Sequence, residues 1–174
     1  MTIDLIDKAR KLLAPEPYLA DQWEMLNRLL EGSTEPDREA VLRWVFTKHY
    51  GYIDVRIKAG IEFVQKNPEI GWPALEELLA STDPDDRDTA LSVLVEINDP
   101  RGYPLAKPML NDPWDYLKLD AIDFLQTVYP EEVNVAIQAL LESPHEGARQ
   151  AALKQLKKLH PPGASGESHA AIVG

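Results

Sequence analysis

Apolar positions along this chain recur with helical spacing, and over its second half the whole pattern repeats every 31 residues. Ile3, Ile6, Ala9 (or Arg10) and Leu13 share one helical face, and the helix stops at Ala14-Pro15-Glu16-Pro17. A second helix, about Tyr18 to Glu31, carries Leu19, Trp23, Leu26 and Leu30 and ends at Gly32. Pro36 to about His49 is a third, with Ala40, Val41, Trp44 and Val45 inward, and Gly51 turns the chain into a fourth, about Tyr52 to Lys66. No sustained alternation of apolar and polar residues leaves room for a sheet.

From Trp72 to the Pro161-Pro162 pair, five apolar phases stay in step at a spacing of 31. They are Leu79, Leu110 and Leu141; Leu78, Met109 and Leu140; Ala90, Ala121 and Ala152; Leu94, Leu125 and Leu156; and Ile97, Val128 and Leu159. A base precedes each alanine by three, at Arg87, Lys118 and Arg149, placed to bind carbonyls or acids between repeats. Such periods mean stacked helix pairs, each burying an apolar face against its neighbour. First helices are expected from near Pro73, Tyr103 and Glu131. Second helices are expected from Asp83-Pro84, Asp112-Pro113 and Ser143-Pro144, where a side-chain oxygen caps and proline needs no N–H partner. Asp86, Asp115 and Glu146 follow each cap by three, as in a capping box.

Stepping back one period gives Arg56, Ala59 and Phe63, but Lys48 falls where Leu79 would. The expected layout is one domain over 1–160: capping helices over 1–35, a degenerate repeat over 36–71, and three repeats over 72–160. Residues 161–174 read as a flexible tail, too poor in apolar residues to offset ordering entropy.

The repeated elements are Leu-Leu, a short Asp-Pro turn, a base, Ala, then Leu four residues on. With the Ile97-Asn98-Asp99-Pro100-Arg101 link, they resemble the short HEAT-like repeats named after the phycobilisome lyases, over roughly residues 52–160. A tetratricopeptide array would want Gly followed by an aromatic within the first helix, and 74–79, 104–110 and 133–141 show neither. The resemblance implies an all-α, right-handed α-solenoid of about five helix pairs, a HEAT-like or armadillo-type superhelix whose second helices line a concave face. It implies a protein-binding scaffold without enzymatic activity. Alternatively, it implies a factor related to bilin lyases that handles a tetrapyrrole or a bilin-carrying protein. The acceptor cysteine would then belong to the substrate.

Charge narrows the partner. The net charge is −11, but residues 72–132 hold four bases against fourteen acids, whereas 145–160 set Arg149, Lys154, Lys157 and Lys158 against Glu146 alone. A duplex-binding surface needs clustered bases, so the acidic middle argues against nucleic acid and against the groove of HEAT-fold DNA glycosylases. No apolar run reaches membrane-spanning length, the acidic start argues against a secretion signal, and the absence of cysteine removes disulfides and thiol chemistry. Cytoplasm is the default compartment, and no cofactor or metal is implied.

The chemistry-bearing residues are weak candidates. Asp83-Pro84-Asp85-Asp86-Arg87-Asp88 fails as a calcium loop, because its fifth position is Arg87, its sixth Asp88 and its twelfth Leu94. His49, His145, His160 and His169 have no metal-binding spacing, and His49 with Tyr50, Gly51 and Tyr52 reads as an aromatic turn. The stronger expectation is a partner surface on the second helices. It is built from the ladders Ser92, Asp123, Lys154; Val95, Gln126, Lys157; and Glu96, Thr127, Lys158, running from acidic or neutral to basic. Trp114 and Tyr116 are candidate rim anchors, with burial between helices as the competing outcome.

Overall fold

A computed structural model describes residues 2–14, 21–48 and 53–159, and every regular element among them is helical. The elements are α1 (Thr2–Leu12), α2 (Gln22–Leu30), α3 (Glu35–Thr47), α4 (Ile53–Lys66), α5 (Pro68–Leu79), α6 (Pro84–Ile97), α7 (Gly102–Ala106) running into a 3₁₀ turn (Lys107–Asn111), α8 (Asp115–Leu125), α9 (Pro130–Leu141) and α10 (Glu146–Leu159). Two compact units are present, Met1–Leu105 and Ala106–Gly174. The expected tail, the expected start of the second helix at Tyr18, and the turn at His49 to Tyr52 lie outside the described residues.

In the first unit α1 packs on α2 and α3, α3 on α4, and α4 on both α5 and α6. Small residues allow these close approaches. A Cβ on Gly71 would lie 2.6 Å from the Val64 backbone, and one on Gly60 would lie 2.6 Å from the Phe46 ring and 2.8 Å from Val93 Cγ2. The helices therefore meet through bare backbone where larger residues would hold them apart. Arg38 ties three helices, donating to Glu62 Oε1 at 2.7 Å and to Asn27 Oδ1 at 2.7 Å. Thr34 caps α3, and Asp37 accepts from the hydroxyls of both Thr34 and Thr2, fastening α1 to α3.

In the second unit the 3₁₀ turn packs on α8, α8 on α9 and α10, and α9 on α10. The expected helix from Tyr103 exists only in part. Pro108 has no N–H for the Pro104 carbonyl, so the chain tightens to i to i+3 bonding, closed by Asp112 N–H to Met109 O at 3.1 Å. Conversely, α5 starts five residues before Pro73. Asn67-Pro68 offers an earlier start, and Pro73 sits inside the helix at the cost of one bond.

Two of the five phases hold in every repeat, and two more hold until the last, where Leu141 and Leu156 are half-buried. Ala59, Ala90, Ala121 and Ala152 are all fully buried, and Leu78, Met109 and Leu140 are buried. The fifth phase does not. Val128 is exposed because α8 ends at Leu125 and a turn follows, with Val128 N–H on Leu125 O at 2.9 Å. Ile3, expected inward, is also exposed, being in the first turn of α1.

The three turns before the second helices are built alike, though only the first starts its helix at the proline. Ser81 Oγ accepts from Asp83 N–H at 3.2 Å, Asp112 Oδ1 from Trp114 N–H at 2.9 Å, and Ser143 Oγ from His145 N–H at 3.1 Å, one position of the 31-residue period. All three helices start three residues after that oxygen, at Pro84, Asp115 and Glu146, so α8 and α10 begin two residues after their prolines. Two of the acids expected to close capping boxes, Asp86 and Asp115, bind groups outside their own helices. Asp86 Oδ1 accepts from Arg56 of α4 at 2.7 Å, and its Oδ2 accepts from Ser81 Oγ at 2.9 Å. Arg56 is itself buried and also donates to the Phe46 carbonyl at 3.2 Å.

Two outcomes follow from this packing. Asp86→Ala leaves the Arg56 guanidinium buried beside an empty site and should cost about 3–5 kcal/mol in urea unfolding; Arg56→Met combined with Asp86→Leu should cost clearly less. Ala121→Asp places an unpaired charge at a fully buried seam and should lose roughly 3–5 kcal/mol, read as a lower thermal midpoint, whereas normal stability would contradict the register.

Candidate functional site

The exposed chemistry of the second unit gathers around the start of α8. Trp114 is extended (φ −96°, ψ 120°) and turns the chain into the helix, which throws its indole outward. Trp114 is 51% and Tyr116 39% exposed, and their rings meet edge-on with centroids 6.2 Å apart. Burial between helices, the competing outcome for these two residues, is not what occurs. Paired, half-wet aromatics carry large contact area with few rotatable bonds.

Between them in sequence, Asp115 is locked. Its Oδ2 accepts from Ser143 Oγ at 2.6 Å and faces His145 Nδ1 at 3.0 Å, and its Oδ1 faces Lys118 Nζ at 3.5 Å. The Ser143 hydroxyl first, then His145 and Lys118, hold the carboxyl below its ordinary value, against a smaller opposing effect of burial. Asp115 thus ties α8 to the turn before α10 rather than capping its own helix. Ser, His and Asp meet here, yet the arrangement is not that of a nucleophilic triad. The serine proton goes to the carboxylate, and the imidazole faces that same oxygen instead of the hydroxyl.

The bases at the repeated position clasp their own turns. Arg87 donates to the Ser81 carbonyl at 2.8 Å and Arg149 to the Ser143 carbonyl at 2.7 Å, two equivalent contacts two periods apart. Both of these contacts lie within one repeat. Lys118 instead reaches Asp115 in its own first turn. Other charged groups also serve the framework. Arg101 pairs with Asp99 at 2.8 Å, holding that carboxyl down at about 2, and lies over the Trp72 ring at 4.6 Å. Lys107 pairs with Glu132 at 2.6 Å and lies over Tyr129 at 4.5 Å.

Of the ladder residues, Ser92 is half-buried and Val95 and Glu96 are exposed on α6 in the first unit. In the second unit Asp123 is exposed on α8, and Lys154, Lys157 and Lys158 are exposed on α10. Gln126 and Thr127 lie past the end of α8, in its closing turn, with Gln126 Nε2 on the Asp123 carbonyl at 3.1 Å. Asp123 pairs with Lys158 at 3.1 Å, one turn beyond the Lys154 that shares its phase. Among the described residues no group of three or more His, Asp or Glu side chains is arranged to hold a metal ion. The Asp115–Ser143–His145 tie was invisible in the sequence because its partners stand 28 and 30 residues apart, short of the period.

Ser143→Ala should raise the Asp115 pKa, followed by carboxyl-carbon NMR titration. A depressed carboxylate adds stability that is present above its unfolded value, about 4, and is lost as pH falls through the lower folded value. The variant should therefore show a shallower loss of stability on acidification below about pH 4. Compared with known families and curated proteins, the chain matches no family model and no curated protein.

Proposed function

We propose that the chain is a HEAT-like α-solenoid, a right-handed stack of about five helix pairs over residues 1–160, that works as a non-enzymatic scaffold holding another protein. The observation that carries the binding role is the exposed Trp114–Tyr116 pair on a rigid helix start. Asp115, between the two, is held on the other side by Ser143 and His145, so the aromatic rings are presented by a fixed backbone. Preorganised aromatics of this kind supply most of the binding energy at protein interfaces, because little freedom is lost when they are covered. The phased alanine seam and the recurring turn support the repeat architecture.

Around this anchor, Asp123, Gln126, Thr127, Lys154, Lys157 and Lys158 supply a charged field of both signs. Such a field sets orientation and encounter rate more than affinity.

The test is quantitative affinity purification of the tagged chain from its native extract. A protein retained by the parent chain should drop about tenfold or more with Trp114→Ala plus Tyr116→Ala. It should drop to a smaller and salt-dependent extent with Asp123→Lys plus Lys154→Glu. Thermal midpoints should stay nearly unchanged, since exposed ion pairs contribute less than about 1 kcal/mol. Equal recovery by all three proteins would rule the surface out.

A further inference from the structure

Three leucines of the last helix pair lose the cover that their equivalents have. Leu79 and Leu110 are buried, but Leu141 is only half-buried. Leu94 and Leu125 are buried, but Leu156 is half-buried. Leu91 and Ile122 are at most 1% exposed, whereas Leu153 is 40% exposed. The first unit shows what this last phase does. Gly60 stands one period before Leu91, and a Cβ there would lie 2.6 Å from the Phe46 ring of α3 in its own pair and 2.8 Å from Val93 Cγ2 of α6 in the following one. Gly60 of α4 and Ile122 of α8 are thus buried on helices that pack against the second helix of the following pair, α6 and α10, whereas Leu153 at the same phase is 40% exposed. At Leu153 an apolar side chain built for a seam meets solvent.

The surroundings select what covers it. Arg149 and Lys157 lie one turn to either side of Leu153 on the same stripe, and Lys154 is its neighbour. No described acid pairs with Lys154 or Lys157. A second copy of this face would set lysine against lysine, and the fifteen residues after Leu159 carry one acid, Glu167. We propose that the α9–α10 end face docks an acidic amphipathic helix of a partner protein, with an apolar side chain of that helix on Leu153 and its carboxylates on Lys154 and Lys157. The docked helix takes the place of the next second helix, as an apolar face laid in a groove with charges at its edges. This site shares Lys154 and Lys157 with the surface proposed above but goes beyond it and does not use its Trp114–Tyr116 anchor.

The experiment uses the full chain and two fluorescein-labelled helical peptides of about 16 residues. Both have leucine at i, i+3, i+4 and i+7; one has glutamate at the flanking positions and the other lysine. By anisotropy at about 0.1 M salt, the glutamate peptide should bind at least tenfold tighter than the lysine peptide. Leu153→Asp should weaken it about tenfold or more. Lys154→Glu plus Lys157→Glu should invert the preference, and this pair tests the site even if Leu153→Asp disturbs folding, which circular dichroism would reveal. Trp114→Ala plus Tyr116→Ala should leave peptide binding unchanged, separating this site from the surface proposed above. Equal affinity for the two peptides, or binding indifferent to the lysine reversals, would overturn the proposal. So would tighter binding on Ile172→Ser plus Val173→Ser, which would make the chain's own C-terminal segment the occupant. A doubling of mass by sedimentation that Leu153→Asp abolishes would also overturn it, since a second copy would then cover the face.

Discussion

Helix pairs in this chain hold together because small side chains sit where backbones must approach. Ala59, Ala90, Ala121 and Ala152 occupy one recurring position and expose nothing to solvent. Gly60 and Gly71 leave space that the Phe46 ring and the Val64 backbone already fill. At such distances the helices gain dispersion contacts along their full length, and one added methyl would have nowhere to go. Larger apolar residues in neighbouring phases, such as Phe63, Leu94 and Leu125, then close over the seam.

Once the helices are close, their turns must be held, because the carbonyls at a helix end need partners. The chain meets this need with one device used repeatedly. A side-chain oxygen accepts the N–H two residues on, and a base six residues after the turn serine reaches back to its carbonyl, at Arg87 to Ser81 and Arg149 to Ser143. The middle repeat lacks that serine and has Lys118 in place of arginine, which holds Asp115 instead. That exchange leaves Asp115 free to accept from Ser143 and His145. It also leaves Trp114 and Tyr116 as the aromatic residues that flank a fixed carboxylate.

Most of the framework was legible before any coordinates. Alanine and leucine phases mark buried positions because burial and helical period are coupled, and proline with a capping oxygen marks the turns. The misreadings share a cause. Pro73 was read as a start and Tyr103 as a full helix, but whether a proline begins, interrupts or tightens a helix depends on the carbonyl four residues earlier. Val128 fits the apolar period, yet α8 stops three residues short of it. The acids at Asp86 and Asp115 match a capping box in spacing, but an arginine from another helix and a serine from the turn before α10 compete for them and win.

The sequence by itself determined that the chain is helical, where its seams lie and which turns recur, because those properties depend on the order of residue types along one strand of backbone. Only the tertiary structure decided which groups remain exposed and which acids meet which donors. Trp114 stays in water and Leu153 is uncovered because of what packs, or fails to pack, against them from other parts of the chain. Such contacts depend on distances between helices, and a linear period carries no record of them.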